Sequence, residues 1–298
     1  MPSTQVDWPS TAAAGFPFPG RVPVRRLADE LSAMLVSPDP TVRDDHAYTA
    51  LARWTGEGHL DELLVDIGDA AATRFTHPEI QARSFAALAL ARVLDRVKAV
   101  PWAAAEDAAD RWYGAFAEWF PAELDTRGWD DTLGWLHAVA HGADAAAALA
   151  AVLPSRGSAL LDLCARRMTA EAAGHRYVQL EDARLARAIT AILFTPGLSV
   201  DEATGWLDTV TRAFADAEPG PVPPWAFNTF TTLQSLHLHL VLGLADRGTP
   251  PHAEAVTTRI VTILRAPLPW LAQPSLLPGW RNASDPLSSP VVNDTIAP

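Results

Sequence analysis

Apolar residues recur at three- and four-residue steps along most of this chain, which is the spacing of one face of an α-helix. In the first such run, Leu27, Leu31 and Leu35 share a face. Pro38 then ends the helix, because proline cannot continue it. The pattern predicts helices over residues 24–37, 41–55, 60–75, 78–94, 102–120, 130–153, 158–173, 180–194, 200–217, 225–245 and 251–264. No segment alternates with period two and no Asn-Gly or Asp-Gly hairpin signal occurs, so the chain is predicted to be all-α.

Consecutive helices with short connections favour antiparallel neighbours, and helix pairs that recur about every 40 residues are typical of HEAT and armadillo arrays. We therefore predict a HEAT- or armadillo-like array of antiparallel helix pairs, an α-α superhelix, with one continuous core. No residue pattern recurs at that period. An irregular, globular array of helices is therefore the alternative.

The two ends of the chain differ from its middle. Prolines and weak periodicity over residues 1–23 predict an extended, Pro-rich arm that lies over the body through Trp8 and Phe16. Residues 24–266 are predicted to form a single helical domain, because helical periodicity continues through them. Prolines among polar residues predict a loose C-terminal tail over residues 267–298.

The predicted helix over residues 130–153, capped by Asp130 or its neighbour, is apolar or small nearly everywhere. Its exceptions, His137, His141 and Asp144, share one narrow stripe of the helix surface. A helix that is apolar nearly all round is a buried helix, and buried polar groups must find partners. This stripe is therefore the predicted location of any chemistry.

Composition narrows the classes of partner. The chain has 298 residues, 49% of them hydrophobic, which is enough to bury a substantial core. Its 35 acidic and 23 basic residues give a net charge of -12 without a basic block, so nucleic acid and acidic membrane surfaces are not predicted partners. Cys164 stands alone, which excludes an internal disulfide. No sufficiently long apolar run and no secretory signal is recognised, so a cytoplasmic protein is expected.

Charged residues gather in short motifs that stand out from the apolar background. These motifs are Arg43-Asp44 with Tyr48, Arg83-Ser84-Phe85, Asp125-Thr126-Arg127-Gly128, Gly134-Trp135-Leu136-His137 continued by His141 and Asp144, and Glu181-Asp182-Ala183-Arg184-Leu185. In this order they resemble the bacterial domain of unknown function DUF2785, over roughly residues 25–245. The resemblance implies an all-helical, HEAT-like fold, and it implies no activity, because none is established for that family.

One departure from the family pattern lies just after the histidine stripe. The family continues its central helix with polar or leucine-rich residues, whereas this chain has Ala145-Ala146-Ala147-Ala148. Such small side chains leave two alternatives open, a roomier pocket or tighter packing between helices.

Two histidines four residues apart on a helix direct their rings to one side, so His137 and His141 have the spacing of metal ligands. Asp144 would add an oxygen one turn later, and three ligands with an open position are typical of a catalytic zinc site. The glutamate of the His-Glu-x-x-His motif is missing, since Ala138 follows His137. A divalent metal is one hypothesis, and no cofactor is firmly implied. Buried histidines that are hydrogen-bonded to acidic or backbone groups are the alternative.

The arginines of these motifs allow a structural and a functional interpretation. They are predicted either to form buried ion pairs or to hold an anionic group in a cleft. The expected partners in such ion pairs are Asp44, Glu123, Asp125, Glu181 and Asp182. The functional hypothesis is a groove that binds a small polar ligand or a peptide segment. Its candidate residues are Arg43, Asp44, Tyr48, Arg83, Glu123, Arg127, Trp135, His137, His141, Asp144, Glu181 and Arg184.

Two alternatives to a binding groove stay open at this point. One is a hydrolase-like enzyme, metal-dependent or acid/base, that uses His137, His141 and Asp144 with a nearby glutamate as base. The other is a purely architectural network of buried salt bridges. The sequence has no Walker, dinucleotide-binding or Gly-x-Ser-x-Gly motif, which disfavours those catalytic classes. It leaves the oligomeric state open.

Overall fold

The structure is a computed structural model that describes residues 6–100, 105–245 and 247–267. Its α-helices in chain order are α1 (Trp8–Ala13), α2 (Val24–Met34), α3 (Thr49–Gly56), α4 (Leu64–Arg74), α5 (Ile80–Ala99), α6 (Ala105–Ala122), α7 (Ala138–Val152), α8 (Gly157–Met168), α9 (Glu181–Ile192), α10 (Val200–Gly205), α11 (Leu207–Ala215), α12 (Pro224–Leu242) and α13 (Ala253–Arg265). A π-helical segment, Thr41–Tyr48, continues directly into α3. The all-α prediction is confirmed.

The helices pack in two layers. One layer consists of α5, α7, α9 and α12, each in contact with the next, and we call it the α7 layer. The other consists of α4, α6, α8 and α11, again in contact in that order. In the second layer, α4, α6 and α8 each precede and contact their partners α5, α7 and α9, as antiparallel helix pairs do. The helix α11 meets α12 through Phe214 and Trp225. The HEAT- or armadillo-like superhelix itself stays a prediction.

Within the described residues the core consists of two hydrophobic clusters instead of the single continuous core that was predicted. The division runs through α5, which is buried on opposite faces. Phe85 and Leu88 belong to a smaller N-terminal cluster, whereas Leu90 and Leu94 belong to the larger one. Ile67 packs against both clusters. Because α5 is shared, the N-terminal elements are anchored to the layer that carries the histidines.

The small residues that follow Asp144 allow α7 to pack closely between α5 and α9. Ala145 and Ala146 are fully buried in that contact. Further along the helix, Ala147 and Ala150 line a cavity of about 260 Å³. The alanines therefore produce tight packing at one level of α7 and open space at the next.

The segment predicted as an extended arm contains a short helix, α1, and packs on the body. Trp8 and Phe16 are buried, and the Trp54 Nε1–H donates a hydrogen bond of 3.0 Å to the Phe16 carbonyl. The predicted C-terminal tail lies outside the described residues, apart from Pro267. Within the described ranges, no helix combines the length and the apolarity needed to cross a membrane.

Candidate functional site

The helix predicted over residues 130–153 begins later than predicted, at Ala138. The preceding residues form a small antiparallel hairpin of β1 (Trp129–Asp130) and β2 (Gly134–Trp135), so the prediction of no strand is wrong here. Asp130 is the cause, because its Oδ1 accepts the backbone N–H of Thr132 at 2.9 Å and that of Leu133 at 3.0 Å. An aspartate that bonds its neighbouring backbone in this way favours a turn over a helix.

His137 is the residue at which the hairpin becomes α7. Its backbone has φ 47°, in the left-handed region, and it stands at the N-cap of the helix. The Gly128 carbonyl accepts the N–H of Leu136 at 2.9 Å and that of His137 at 3.3 Å, which fixes this conformation. His141 lies one turn inside the helix, and the two imidazole rings stack with centroids 5.8 Å apart. The two histidines are neighbours as predicted, although His137 is not a helical residue.

Arg43 stabilises the hairpin by hydrogen bonds to its backbone. It is fully buried, and its Nη2 donates to the Leu133 carbonyl at 2.7 Å and to the Trp135 carbonyl at 3.3 Å. Its Nη1 donates to the Ser37 carbonyl, and its Nε lies 2.6 Å from Asp44 Oδ1 without hydrogen-bond alignment. The guanidinium is thus engaged with the protein itself, which leaves Arg43 and Asp44 an architectural role.

Arg83 and Glu123 form a second buried link. The Arg83 Nε and Nη2 donate to the two oxygens of Glu123 at 2.6 and 2.9 Å, and its Nη1 donates to the carbonyls of His77 and Pro78. Glu123 also accepts the Trp119 Nε1–H and the backbone N–H of Asp125. Burial raises the pKa of Glu123, but these donors outweigh it and hold that pKa below its usual value. The pair joins α5 to the end of α6.

Arg127 closes the loop between α6 and the hairpin. Its Nε and Nη2 donate to Asp125 at 2.9 and 2.6 Å, and its Nη1 donates to Asp130 Oδ2 at 2.5 Å. Asp130 thereby stabilises the turn of the hairpin with one carboxylate oxygen and accepts a hydrogen bond from Arg127 with the other. Arg127 was predicted to contact a ligand, and its donors are instead engaged by two carboxylates of the same loop.

Glu181 supports the same loop from α9. A Cβ added at Gly128 would lie 2.0 Å from Glu181 Oε1 and 2.6 Å from Gln179 Cβ, so the two loops touch closely at this glycine. Glu181 Oε2 accepts the N–H of Gln179 at 2.9 Å, while Oε1 is buried without a hydrogen-bond partner in the described part of the chain. Burial raises the pKa of the Glu181 carboxyl.

Replacing Gly128 by alanine is expected to lower the free energy of unfolding by about 1–3 kcal/mol, because the methyl group would overpack this loop contact. The matched control is Gly114→Ala on α6, where an added Cβ meets nothing within 4 Å. That control is expected to stabilise the protein slightly, since alanine favours a helix over glycine. Urea unfolding of both variants measures the difference. Equal stability of the two variants would contradict the contact at Gly128.

The partly exposed end of the histidine site is formed by α7, α9 and the π-helical segment. Asp144 pairs with Arg184 through two hydrogen bonds, and both side chains are partly exposed to solvent. Tyr48 meets Phe85 edge-on with centroids 6.2 Å apart, and Phe85 meets His141 in the same way at 5.2 Å. Tyr48 thus lies beside His141, separated from it by the Phe85 ring.

Both histidines are neutral at neutral pH. Burial, with the positive charge of Arg184, lowers the pKa of His137 from 6.5 to about 4. Burial and the nearby His137 lower the pKa of His141 well below its usual value. The Ser84 Oγ lies 2.8 Å from His141 Nδ1 and bonds the Leu136 carbonyl. A hydroxyl has one proton, so donation to that carbonyl assigns the Nδ1 proton to His141.

These lowered pKa values predict a loss of stability in mild acid. Because the folded-state pKa lies below the unfolded one, the unfolded chain binds protons first and stability falls between about pH 6.5 and pH 4. His137 alone contributes a limiting slope of about 1.4 kcal/mol per pH unit. The facing charges are Asp144 on α7, Arg184 on α9 and Arg43 on the π-helical segment.

The variant that tests this slope is His137→Asn/His141→Asn. Asparagine tolerates the left-handed backbone of residue 137, and at 141 it retains a donor for Ser84. Its unfolding free energy is expected to fall less than that of the unmodified chain between about pH 6.5 and pH 4.5. The same pH dependence in both proteins would contradict the assignment of neutral buried histidines.

Within residues 6–100, 105–245 and 247–267, no three His, Cys, Asp or Glu side chains are arranged to hold a metal ion. Two of the three predicted ligands are engaged by other groups. Asp144 faces Arg184, and His141 Nδ1 is bonded to Ser84. His137 Nε2 is buried without a partner among the described residues.

The loops fixed by Arg43, Arg127 and Glu181 carry exposed apolar side chains. Trp129 and Trp135 are 44% and 45% exposed and meet edge-on with centroids 4.8 Å apart, and Val178 and Leu180 of the adjoining loop are each 71% exposed. We call these four residues the tryptophan edge. Trp129, Val178 and Leu180 were not predicted. The signal that could have indicated Trp129 is the repeated Gly-Trp pair at 128–129 and 134–135.

Comparison with known proteins gives one match. A family model described as "Protein of unknown function (DUF2785)" matches residues 72–238, a range that contains four of the five motifs and leaves Arg43-Asp44 outside. No curated protein and no solved structure matches the chain.

Proposed function

Because the chain belongs to the DUF2785 family, for which no activity is recorded, we propose its function from the site alone: it is a binding module for an extended peptide segment of a partner protein. The peptide lies across the tryptophan edge and the adjoining surface at Tyr48, His137, Asp144 and Arg184.

The observation that carries this proposal is that the charged residues of the site bond the protein itself, whereas its tryptophans are exposed to solvent. Arg43, Arg83 and Arg127 bond carbonyls and carboxylates of this chain, and these bonds fix the loop over residues 123–137. What the fixed loop presents to solvent is a pair of tryptophans. Exposed apolar patches with polar rims mark interaction sites, and tryptophan is the residue type most enriched at binding hot spots.

Aromatic contacts continue from the tryptophan edge into the histidine site. Trp135 meets the His137 ring at 4.6 Å, His137 stacks on His141, and the row continues through Phe85 to Tyr48. Phe85 and His141 are buried, so the row supports from within the protein the partly exposed rings of Trp135, His137 and Tyr48, and the Asp144–Arg184 pair lies beside them as a polar group. An elongated, open surface suits a peptide better than a small molecule, whose sites usually enclose most of the ligand.

Binding is better supported than acid/base catalysis by these residues. A general base works best with a pKa near the working pH. The pKa of His137 is about 4, and the pKa of His141 is also lowered far from neutrality. Neutral imidazoles at neutral pH act as packing and hydrogen-bonding groups in the aromatic row, which is the role that the proposal gives them.

The proposal is tested with random dodecapeptides displayed on phage, selected on the full chain and then resynthesised for titration. Enriched peptides are expected to bind Trp129→Ala and Trp135→Ala about tenfold or more weakly. The matched control is Leu238→Ala/Leu242→Ala, which removes exposed apolar side chains from α12. Circular dichroism verifies that each variant is folded. Absence of any enriched peptide, or equal affinities of the tryptophan variants and the control, would refute the proposal.

A further inference from the structure

A second surface feature lies apart from the tryptophan edge, where α4 and α6 end. It is a cavity of about 420 Å³ between these ends, and none of its lining residues belongs to the tryptophan edge. Its size is within the range of small-molecule sites, which is about 300–1,000 Å³. The side chains that define it are Phe75, His77, Arg83, Glu118, Trp119 and Leu124.

The wall of this cavity is aromatic and rigid. Phe75 and Trp119 stack with ring centroids 4.6 Å apart and an interplanar angle of 14°. The Trp119 Nε1–H donates to Glu123 Oε2 at 2.7 Å, which fixes the indole. Ala72 and Ala115 stand beside the stacked pair, and their small side chains leave the space open. The cavity therefore offers a preformed apolar wall to a ligand.

The charged side chains that line the cavity, Arg83, Glu118 and Glu123, sum to one negative charge. Arg83 and Glu123 neutralise each other in their bidentate pair. Glu118 is exposed at the rim, and no basic group of the described residues lies within ion-pair distance of it. His77 Nδ1 accepts the N–H of Glu79, so that nitrogen carries no proton.

The helix dipoles add no net negative charge at the cavity. The C-terminal end of α4 and the N-terminal end of α5 both lie at the cavity, and their partial charges oppose each other. The C-terminal end of α6 remains, and it carries a partial negative charge. Arg167 donates to the carbonyls of Phe120 and Glu123, and its full positive charge offsets the partial charge of this helix end. The preference of the cavity for a cation therefore rests on the Glu118 carboxylate.

We propose that this cavity binds a small organic amine. The apolar body of the amine packs against Phe75 and Trp119, and its ammonium group pairs with the Glu118 carboxylate. This inference goes beyond the peptide surface, since it concerns other residues and a ligand of another class. Charge complementarity selects the amine over carboxylates, which the Glu118 carboxylate would repel.

The probes are phenethylamine, its neutral analogue 2-phenylethanol and its anionic analogue 3-phenylpropionate, each titrated against the full chain by ligand-detected NMR. Phenethylamine is expected to bind about tenfold more tightly than 3-phenylpropionate, with 2-phenylethanol between them. Glu118→Gln is expected to weaken phenethylamine about three- to fivefold and to leave 2-phenylethanol unchanged.

Two further variants locate the binding. Ala115→Leu fills the cavity and is expected to weaken phenethylamine and 2-phenylethanol alike. Glu106→Gln removes the same charge at the opposite end of α6 and is expected to change nothing. The inference is overturned if phenethylamine shows no measurable binding, if the three probes bind equally, or if Glu118→Gln behaves like Glu106→Gln.

Discussion

Replacing Arg43 by methionine lowers the free energy of unfolding by about 3–5 kcal/mol, if this arginine holds the hairpin as its contacts indicate. Methionine fills most of the volume but cannot donate. The carbonyls of Ser37, Leu133 and Trp135 would each lose a donor. Asp44 would also lose the positive charge that opposes its desolvation. Unsatisfied buried polar groups and an uncompensated charge are among the costliest defects in a protein.

Two comparisons separate this effect from a general loss of charge. Arg26→Met removes an exposed arginine from α2, and its expected change is within about 0.5 kcal/mol. Arg43→Lys retains the charge and is expected to recover only part of the stability, because an ammonium does not reproduce the planar fork. Chemical unfolding of the three variants measures these differences. An Arg43→Met protein as stable as Arg26→Met would show that the hairpin does not depend on Arg43.

Arg83→Met is expected to have an effect of similar size, about 3–5 kcal/mol. The Glu123 side chain is only 3% exposed, and removing Arg83 leaves its carboxylate with the Trp119 and Asp125 donors alone. Arg83→Met/Glu123→Leu removes both charges and is expected to be more stable than the sum of the single losses predicts, because no unpaired charge is then buried.

The pH dependence of Arg83→Met gives an independent measurement. In the unmodified chain the pKa of Glu123 lies below its usual value of 4.5, so its contribution to stability is present above that pH and is lost as the pH falls. Without Arg83, burial raises that pKa, so protonation relieves the variant. The stability difference between the two proteins should therefore shrink as the pH falls, first above about 4.5 as Glu123 of the variant is protonated, and then below about 4.5 as Glu123 of the unmodified chain is protonated. Additive losses in the double variant, together with a difference independent of pH, would contradict a buried ion pair.

The pairing of the charged motifs could be predicted from the sequence because the partners are few and the background is apolar. Arg43 contacts Asp44, Arg83 pairs with Glu123, and Arg127 pairs with Asp125, all among the expected partners. Arg184 differs, since it pairs with Asp144 on the neighbouring helix instead of a carboxylate of its own motif. Sequence shows which charges are present, whereas packing between α7 and α9 decides which of them meet.

The hairpin and the tryptophan edge could not be derived from the same reasoning. Helical periodicity and the apolar neighbours of His137 favoured a helix that begins at residue 130. The Asp130 carboxylate instead accepts hydrogen bonds from the backbone of Thr132 and Leu133, which stabilises a turn at this point. Tryptophan in an apolar sequence is usually buried, so the exposure of Trp129 and Trp135 depends on how Gly128 meets the loop before α9. That contact joins distant parts of the chain, which no local pattern records.

If the fixed loop over residues 123–137 presents Trp129 and Trp135 to a peptide, the two side chains must be exposed in the free protein and covered in the complex. Hydroxyl-radical footprinting, with and without a peptide selected from the dodecapeptide library, measures this directly. We expect these two tryptophans to be oxidised readily in the free protein and to be protected when the peptide is bound. The buried Trp54 and Trp112 should react slowly in both states. Protection at another surface, with Trp129 and Trp135 still oxidised in the complex, would contradict the account.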